Sequence, residues 1–247
     1  MIIAHRGASK EAPENTIPAF ELAWRQKADG IEGDFHLTKD NQAVCIHDAD
    51  TSRVSNTDMT VAESTLGELR KLDVGKYRGD EFSGAQIPTL EEVLETIPPG
   101  GRIYIEVKSH HRIIPYILAI VEESSISPDS ITFISFDKEV IRRLKKSTGS
   151  YKGFLLQSVK RDEDGQFAPT AESTLRTLDE IGADGVSTSA GSIDGDYISE
   201  IKSEGYEYHV WTVDDPARAQ VLFDWGVDSV TTNVPKLIRD ACGQLGA

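Results

Sequence analysis

Cysteine is scarce in this sequence. Only Cys45 and Cys242 occur among 247 residues. That is too few for a disulfide framework and fits a reducing compartment. Basic residues are also outnumbered: 26 Lys and Arg stand against 41 Asp and Glu, for a formal net charge of −15. Such a surface repels DNA, RNA and anionic membranes, which bind basic patches. Neither nucleic acid nor a stable membrane association is therefore expected. No apolar run approaches the ~18 residues of a membrane span. The opening MIIAHRG lacks a basic region and a long apolar stretch. It reads as a buried strand rather than a signal peptide, and a cytoplasmic location is expected. No Ser or Cys stands in the strand–turn–helix setting of an activated nucleophile, which leaves covalent acyl-type chemistry without a candidate.

What is present is a regular alternation. Hydrophobic residues make up 38% of the chain, enough for a sizeable core. Strand-like runs fall at Ile2–Ala4, Gly30–His36, Arg102–Lys108, Ile131–Phe136, Gly153–Leu156, Gly185–Ser189, Tyr206–Val213 and Ser229–Thr232. Helical patterns fall between them, at Ile17–Gln26, Leu90–Thr96, Ile113–Glu123, Lys138–Lys146, Ala171–Ile181, Ile193–Ser203, Pro216–Trp225 and Val234–Cys242. Strand and helix in this alternation mean a parallel sheet. Eight units and about 250 residues suit a closed (β/α)8 TIM-type barrel, though an open doubly wound sheet shares the count. Asn15, ahead of Thr16-Ile17-Pro18, and Asp214-Asp215, ahead of Pro216, read as helix starts. Gly182-Ala183-Asp184 and Gly226-Val227-Asp228 each read as a turn from helix to strand.

One region breaks the rhythm. Between the strand-like run Val44–His47 and the turn Ile87-Pro88-Thr89 lie about forty residues, too many for an ordinary connection. Residues 48–88 read as an insertion after the second strand, at the face where barrel loops carry function. It holds a short helical pattern, Thr65–Leu72, and a Gly/Asp-rich stretch, Gly75–Gly84. The expectation is a single barrel domain over 1–247 with 48–88 as a cap.

Ionisable residues gather at the predicted strand ends. His5-Arg6 closes the first strand, Glu32 and Asp34 lie in the second, His47-Asp48 ends the run after it, and Glu106 and Lys108 end the third. Residues two apart in a strand face the same way. In a closed barrel these faces converge, bringing three carboxylates, two imidazoles, an Arg and a Lys into one pocket. Three carboxylates so placed raise one another's pKa unless a cation intervenes. All-oxygen ligands suit one divalent cation, Mg²⁺ or Ca²⁺. Histidine is the usual acid–base group near neutral pH. His36 is read as lying off the Glu32/Asp34 face, and His209 as a satisfied polar residue within a strand. His110 is expected at the site's rim, His111 in solvent, and Trp211 as a pocket wall.

These residues carry a resemblance to glycerophosphodiester phosphodiesterases. HRGASKEAPENT (residues 5–16) resembles the opening motif of that family, Glu32-Gly33-Asp34 its Glu-x-Asp pair, and His47-Asp48 its second His-Asp signature. Ile87-Pro88-Thr89-Leu90-Glu91-Glu92-Val93, Ile105-Glu106-Val107-Lys108 and Val210-Trp211-Thr212-Val213 are similar to later motifs in the same order. The resemblance implies metal ligands Glu32, Asp34 and Glu106 and a general acid/base pair, His5 and His47. It also implies Arg6 and Lys108 on the phosphate, Trp211 near the glycerol, and Glu14 and Asn15 bracing the site. The implied reaction is hydrolysis of small glycerophosphodiesters to glycerol 3-phosphate and an alcohol. Three positions depart from the common pattern: Asn41, the stretch TSRVSNT after Asp50, and Asn233, where an Asp is frequent. A lipid-directed phospholipase should show an aromatic rim for docking. The insertion offers only Tyr77 and Phe82, so a small-molecule substrate is preferred. A catalytically silent barrel should lack a site residue, and none is missing.

Overall fold

The computed structural model describes residues 1–242. Eight parallel strands alternate with eight helices, in the order β1 (Ile2–His5), α1 (Ile17–Arg25), β2 (Gly30–Leu37), α2 (Leu90–Glu95), β3 (Arg102–Val107), α3 (Ile114–Glu123), β4 (Ile131–Ser135) and α4 (Lys138–Ser147). The second half follows as β5 (Lys152–Gln157), α5 (Ala171–Ile181), β6 (Gly185–Ser189), α6 (Gly195–Ser203), β7 (Glu207–Trp211), α7 (Pro216–Asp224), β8 (Ser229–Thr232) and α8 (Pro235–Cys242). β1 pairs with β2 on one side, with Ile3 opposite Gly30 and His5 opposite Glu32. On its other side it pairs with β8, with Ile3 opposite Thr231. The sheet therefore closes on itself, which excludes the open doubly wound arrangement that the count of units had left available.

The two-residue alternation of each strand divides its side chains between helices and barrel interior. Outward residues of β2, β3 and β4 (Phe35, Ile103, Ile105 and Phe133) pack with Phe20, Leu90 and Ile117 of the helices. Val186, Tyr208, Val210 and Val230 do the same against Leu178, Ile198, Leu222 and Ile238 on the other side. Burying each such side chain stabilises by about 1.5–3 kcal/mol. Inside the barrel, Ile3, Tyr104, Ile134, Phe154 and Leu156 form the apolar filling.

The Gly-x-Asp turns have a specific mechanical role. Gly182 ends α5 with φ +70°, a conformation open to glycine at little cost. Asp184 then accepts from the backbone N–H of Gly153 at 2.8 Å and pairs with Lys145 at 2.7 Å. Asp228 accepts from the N–H of Tyr208 at 2.8 Å and pairs with Lys202 at 2.6 Å. Asp29 does the same with Ile2 at 2.6 Å and Arg239 at 2.6 Å. Three times over, an acidic residue before one strand anchors the start of its neighbour and is neutralised by a helix cation.

Two segments lie outside the barrel rhythm. Lys160–Arg161 and Phe167–Ala168 form an antiparallel hairpin that the periodicity does not announce. Arg161 lies over the Phe167 ring at 4.0 Å and pairs with Asp194 at 2.7 Å. The insertion is entered through a short strand, Ala43–Cys45, antiparallel to β2, and it carries its own apolar cluster, Val54, Val61, Leu69 and Val74 against Val44, Ile46 and Ile87. Its predicted helical stretch contracts to Leu66–Leu69, capped reciprocally by Thr65 and Glu68. The Gly/Asp-rich stretch closes on Asp73, which accepts from the N–H groups of Gly75, Lys76 and Gly84 at 2.9, 3.0 and 2.8 Å.

Below the apolar filling, His209 is fully buried, stacked on Phe154 at 4.4 Å and bonded through Nδ1 to Ser229 Oγ at 2.7 Å. Its Nε2 lies 3.4 Å from Glu207, which also pairs with Lys152. It is an interior residue held within a strand, with Nδ1 hydrogen-bonded and Nε2 facing Glu207. His209 and Lys152 hold the Glu207 carboxyl at about 2, below its ordinary 4.5. The unfolded chain takes up this proton first, so the stability from Glu207 is present above about 4.5 and is lost as pH falls toward about 2. The stability gap between the wild type and Glu207→Gln should therefore shrink as urea unfolding is repeated from about pH 6 down to about pH 3. A gap independent of pH over that range would show that Glu207 is not held ionised by these partners.

Candidate active site

The end of β1 sets the geometry. Arg6 and Gly7 both take positive φ, +56° and +79°, so the chain turns sharply as it leaves the barrel. A Cβ on Gly7 would meet the backbone carbon of Ala19 at 2.5 Å, and glycine is what lets this turn lie against α1. The turn aims the backbone N–H of Arg6 at Glu32 Oε2, 2.9 Å away. It also brings Arg6 Nε to 3.1 Å from Asp34 Oδ2 and Arg6 Nη1 to 2.9 Å from Glu14.

β2 and β3 then align the acids. Asp34 stands opposite Glu106 and Glu32 opposite Tyr104. One carboxylate oxygen from each of Glu32, Asp34 and Glu106 lies within 4.8 Å of the others, and all three side chains are buried. Lys108 reaches Glu106 at 2.8 Å and Asp34 at 3.5 Å. Burial, then the charges of Asp34 and Glu106, push Glu32 well above the carboxylate range. Burial and Asp34 likewise raise Glu106. Burial works against Asp34 too, but Arg6 and Lys108 outweigh it and keep this carboxyl low. Glu32 Oε1 and Asp34 Oδ1 are buried with no hydrogen-bond partner. Orphaned carboxylate oxygens facing one point are what a hard divalent cation binds. The donor set therefore fits the expected metal.

The two imidazoles are each gripped from behind. His5 Nδ1 lies 2.8 Å from Asn233 Oδ1. The amide is oriented because its Nδ2 donates to Asp214 at 2.7 Å, while Ser9 Oγ donates to the same Oδ1 at 2.9 Å. An oxygen facing His5 requires the proton on Nδ1 and leaves Nε2 as the free nitrogen. Burial first, and then the Arg6 charge, lower the pKa of His5. His47 Nδ1 lies 2.7 Å from Asp48 Oδ1, and that carboxylate fixes the same tautomer.

His5, Arg6, Glu32, His47, Glu106 and Lys108 line one side of a cavity of about 190 Å³. Tyr104, Ile134, Phe136, Leu156 and Trp211 form the other side, with Asp34 buried behind the acidic side. Trp211 is held by its indole N–H on the carbonyl of Ser187 at 3.0 Å, and Phe136 stands edge-on to it at 5.5 Å. The expected metal ligands, imidazoles, phosphate-facing cations and Trp211 are thus brought to one place. A larger groove, about 520 Å³, runs between α1, α2 and the insertion, but no histidine lines it among the described residues.

Several positions differ from expectation. His36 lies two residues beyond Asp34, so it shares that face instead of leaving it, and its Nε2 sits 3.1 Å from the carbonyl of His47. The even spacing was the available signal. His110 is exposed and packs on His111 at 3.6 Å, outside the cavity lining. Asn15 is no helix cap. Thr16 occupies that position, without a side-chain capping bond, and Asn15 turns inward at φ +56°. Its amide accepts from the Asp34 N–H at 3.2 Å and donates to Asp34 Oδ2 at 2.8 Å. Phe136 was readable as the next inward position after Ile134. Arg53, joined to both Asp48 and Glu14, had no sequence signal beyond its charge.

A sequence model of the glycerophosphoryl diester phosphodiesterase family matches residues 5–237. The glycerophosphodiester phosphodiesterase of Caldanaerobacter subterraneus subsp. tengcongensis is 34% identical over 96% of this chain and 96% of its own. The Bacillus subtilis enzyme of the same name is 30% identical over 97% of this chain and 85% of its own. Among solved structures, an Oleispira antarctica phosphodiesterase in complex with the product sn-glycerol-3-phosphate superposes with a TM-score of 0.89 at 26% identity, covering 98% of this chain and 96% of that one. The Agrobacterium tumefaciens glycerophosphodiester phosphodiesterase gives 0.82 at 26% identity, covering 97% and 98%.

The amide of Asn15 can be tested directly. At a left-handed position Asp is tolerated better than Ala, so backbone strain alone ranks Asn15→Asp above Asn15→Ala in stability. A carboxylate placed beside Asp34 reverses that order through like-charge repulsion. Thermal melts at about pH 8 should find Asn15→Asp the less stable. If it is the more stable, the amide is not what secures Asp34.

Proposed function

The chain belongs to the glycerophosphoryl diester phosphodiesterase family and hydrolyses glycerophosphodiesters; from that premise we propose that it does so by His5/His47 acid–base catalysis at a divalent-metal site, releasing glycerol 3-phosphate. The observation that carries this reading is the cavity itself, in which two imidazoles with Nδ1 engaged from behind face three converging carboxylates.

Glu32, Asp34 and Glu106 would hold the cation. Charge balance supports this. Three carboxylates against Arg6 and Lys108 leave one net negative charge, which would repel a phosphodiester. A divalent cation turns that into one net positive charge, which the diester monoanion neutralises. Once bound, the cation would supply Lewis acidity at the phosphoryl group and a template for a glycerol hydroxyl.

The remaining work falls to the chain's own side chains. Arg6 and Lys108 offset charge developing on the phosphoryl oxygens. His5, kept neutral with Nε2 free, takes the proton of the glycerol hydroxyl next to the phosphoester as that oxygen attacks phosphorus. The bond from phosphorus to the alcohol breaks, and His47 gives the departing oxygen its proton. A carboxylate partner such as Asp48 stabilises the imidazolium that this role requires. Water then opens the cyclic phosphate with the roles exchanged: His47 takes a proton from water and His5 returns one to the hydroxyl. Direct attack by water on the diester is the competing route.

The cavity's size bears on the substrate. About 190 Å³ falls below the ~300–1,000 Å³ that encloses drug-sized ligands. That supports a small diester over a lipid. Among the described residues, the large apolar side chains that are exposed (Met1, Tyr77, Tyr116, Phe136, Val221 and Leu237) are scattered over separate elements and build no docking rim. Among the described residues, no helix is long and apolar enough to cross a membrane. For residues 48–88 we propose a cap that acts from the side, through Arg53 and Tyr77 on Glu14.

Three expected outcomes test the reading. Exhaustive chelation should abolish release of glycerol 3-phosphate, with recovery on adding Mg²⁺ or Ca²⁺; undiminished turnover after chelation would remove the metal. His5→Ala and His47→Ala should each lose about 10²–10⁴-fold in kcat while remaining folded. A substrate lacking the hydroxyl next to the phosphoester should bind and be scarcely cleaved, and cleavage at the parent rate would favour direct attack by water.

A further inference from the structure

Arg53 lies in the insertion, outside the cavity lining, with 43% of its side chain exposed. Its guanidinium nevertheless joins two carboxylates that back the site. Nε donates to Asp48 Oδ2 at 2.6 Å. Nη1 and Nη2 donate to the two oxygens of Glu14 at 2.7 and 2.9 Å. Asp48 holds His47 with its other oxygen, and Glu14 holds Arg6. One planar fork thus stands behind both the second imidazole and the phosphate-facing arginine. We propose that Arg53 is a positioning residue for His47: it locks the orientation of residue 48, so that an acceptor of that side chain is held against Nδ1 and Nε2 is presented to the cavity.

The argument is one of donors and acceptors, and it rests on the acid–base role given to His47 above. A guanidinium has donors only, so whatever faces Arg53 Nε must accept. With Asp48 this is satisfied at no cost, because both oxygens accept. Arg53 takes Oδ2, the carboxylate is locked, and Oδ1 is left to receive the proton of His47 Nδ1. Nε2 is then the nitrogen left for proton transfer in the cavity.

The constraint becomes visible when residue 48 has two different ends. In Asp48→Asn, Arg53 claims the amide oxygen and turns the NH₂ toward His47. Nδ1 must now accept, and the imidazole proton moves to Nε2. The nitrogen meant to exchange a proton is then blocked in its neutral form. With the fork removed as well, the amide is free to flip and offer its oxygen to Nδ1–H. The second substitution should therefore restore part of what the first destroys. A merely structural ion pair predicts the opposite, since exposed pairs contribute little and losses accumulate.

The test uses the full chain assayed with added divalent cation. Arg53→Met keeps the aliphatic stem and lacks donors. Asp48→Asn should lose about 10²-fold or more in kcat with KM little changed, consistent with loss of an acid–base group. Arg53→Met should lose about tenfold. Asp48→Asn/Arg53→Met should be several-fold more active than Asp48→Asn alone. Nitrogen NMR of the His47 ring gives a readout independent of turnover: Nδ1-protonated in wild type, Nε2-protonated in Asp48→Asn, and Nδ1-protonated again in the double variant. Arg53→Lys, which can serve one carboxylate but not both, should fall between wild type and Arg53→Met and guards against a folding failure of the latter. If His47→Ala is inactive but the double variant is no better than Asp48→Asn and the ring signal does not revert, Arg53 does not orient residue 48 toward His47. If His47→Ala itself turns over like wild type, the acid–base assignment fails, and the ring signal still reports whether the fork orients residue 48.

Discussion

The mutual repulsion of Glu32, Asp34 and Glu106 governs the top of this barrel. Carboxylates buried within a few ångströms of one another are unstable without compensation, and the surrounding architecture supplies it. Arg6 is bent into a left-handed conformation so that its backbone N–H and guanidinium reach two different acids at once. Lys108 leans back along its own strand to the other side. Asn15 turns inward to secure Asp34 by both main chain and side chain. Arg6 and Asn15 take positive φ to do so, while Lys108 follows from the two-residue spacing of its strand, and all three serve the same electrostatic problem.

The barrel's layers are ordered by the same pressure. The charged site lies at the strands' C-terminal ends, an apolar plug beneath it, and a second polar group, Lys152 with Glu207 and His209, beneath the plug. The plug keeps the two polar systems apart in a medium of low dielectric, where charges interact strongly. The Asp29, Asp184 and Asp228 anchors fix the register of the strand starts. A one-residue slip in β2 or β3 would exchange its inward and outward sets and carry an acid out of the site.

Much of this was legible in the sequence because two periodicities coincide with it. The eight apolar runs mark the strands, and Glu32/Asp34 and Glu106/Lys108, two apart, share faces that closure brings together. The same rule, applied carefully, places His36 with them and Phe136 beside Ile134. What could not be read has no period. Asn15 looks like a helix start until one sees that the acid behind it needs its amide. The hairpin at Lys160–Ala168 is made of charged residues with one aromatic. Arg53 acts across 39 residues on Glu14, through a loop whose path nothing local specifies. Closure itself follows from β1 pairing on both edges, a relation between chain ends.

The strand Ala43–Cys45 has an implication for how this molecule can vary. It runs back along β2, and its residue Val44 bridges to Thr89 while the N–H of Cys45 bonds to the carbonyl of Pro88. The departing and returning ends of the insertion are therefore stitched side by side onto the strand that carries Glu32 and Asp34. A segment whose ends are already joined can be lengthened or shortened cheaply, since doubling a loop costs only about 0.6 kcal/mol in closure entropy. The residues between Asp48 and Ile87 then behave as an interchangeable module on a fixed port. Descendants of this scaffold can trade one such module for another without reopening the barrel, provided each newcomer again presents a donor to Asp48 and Glu14.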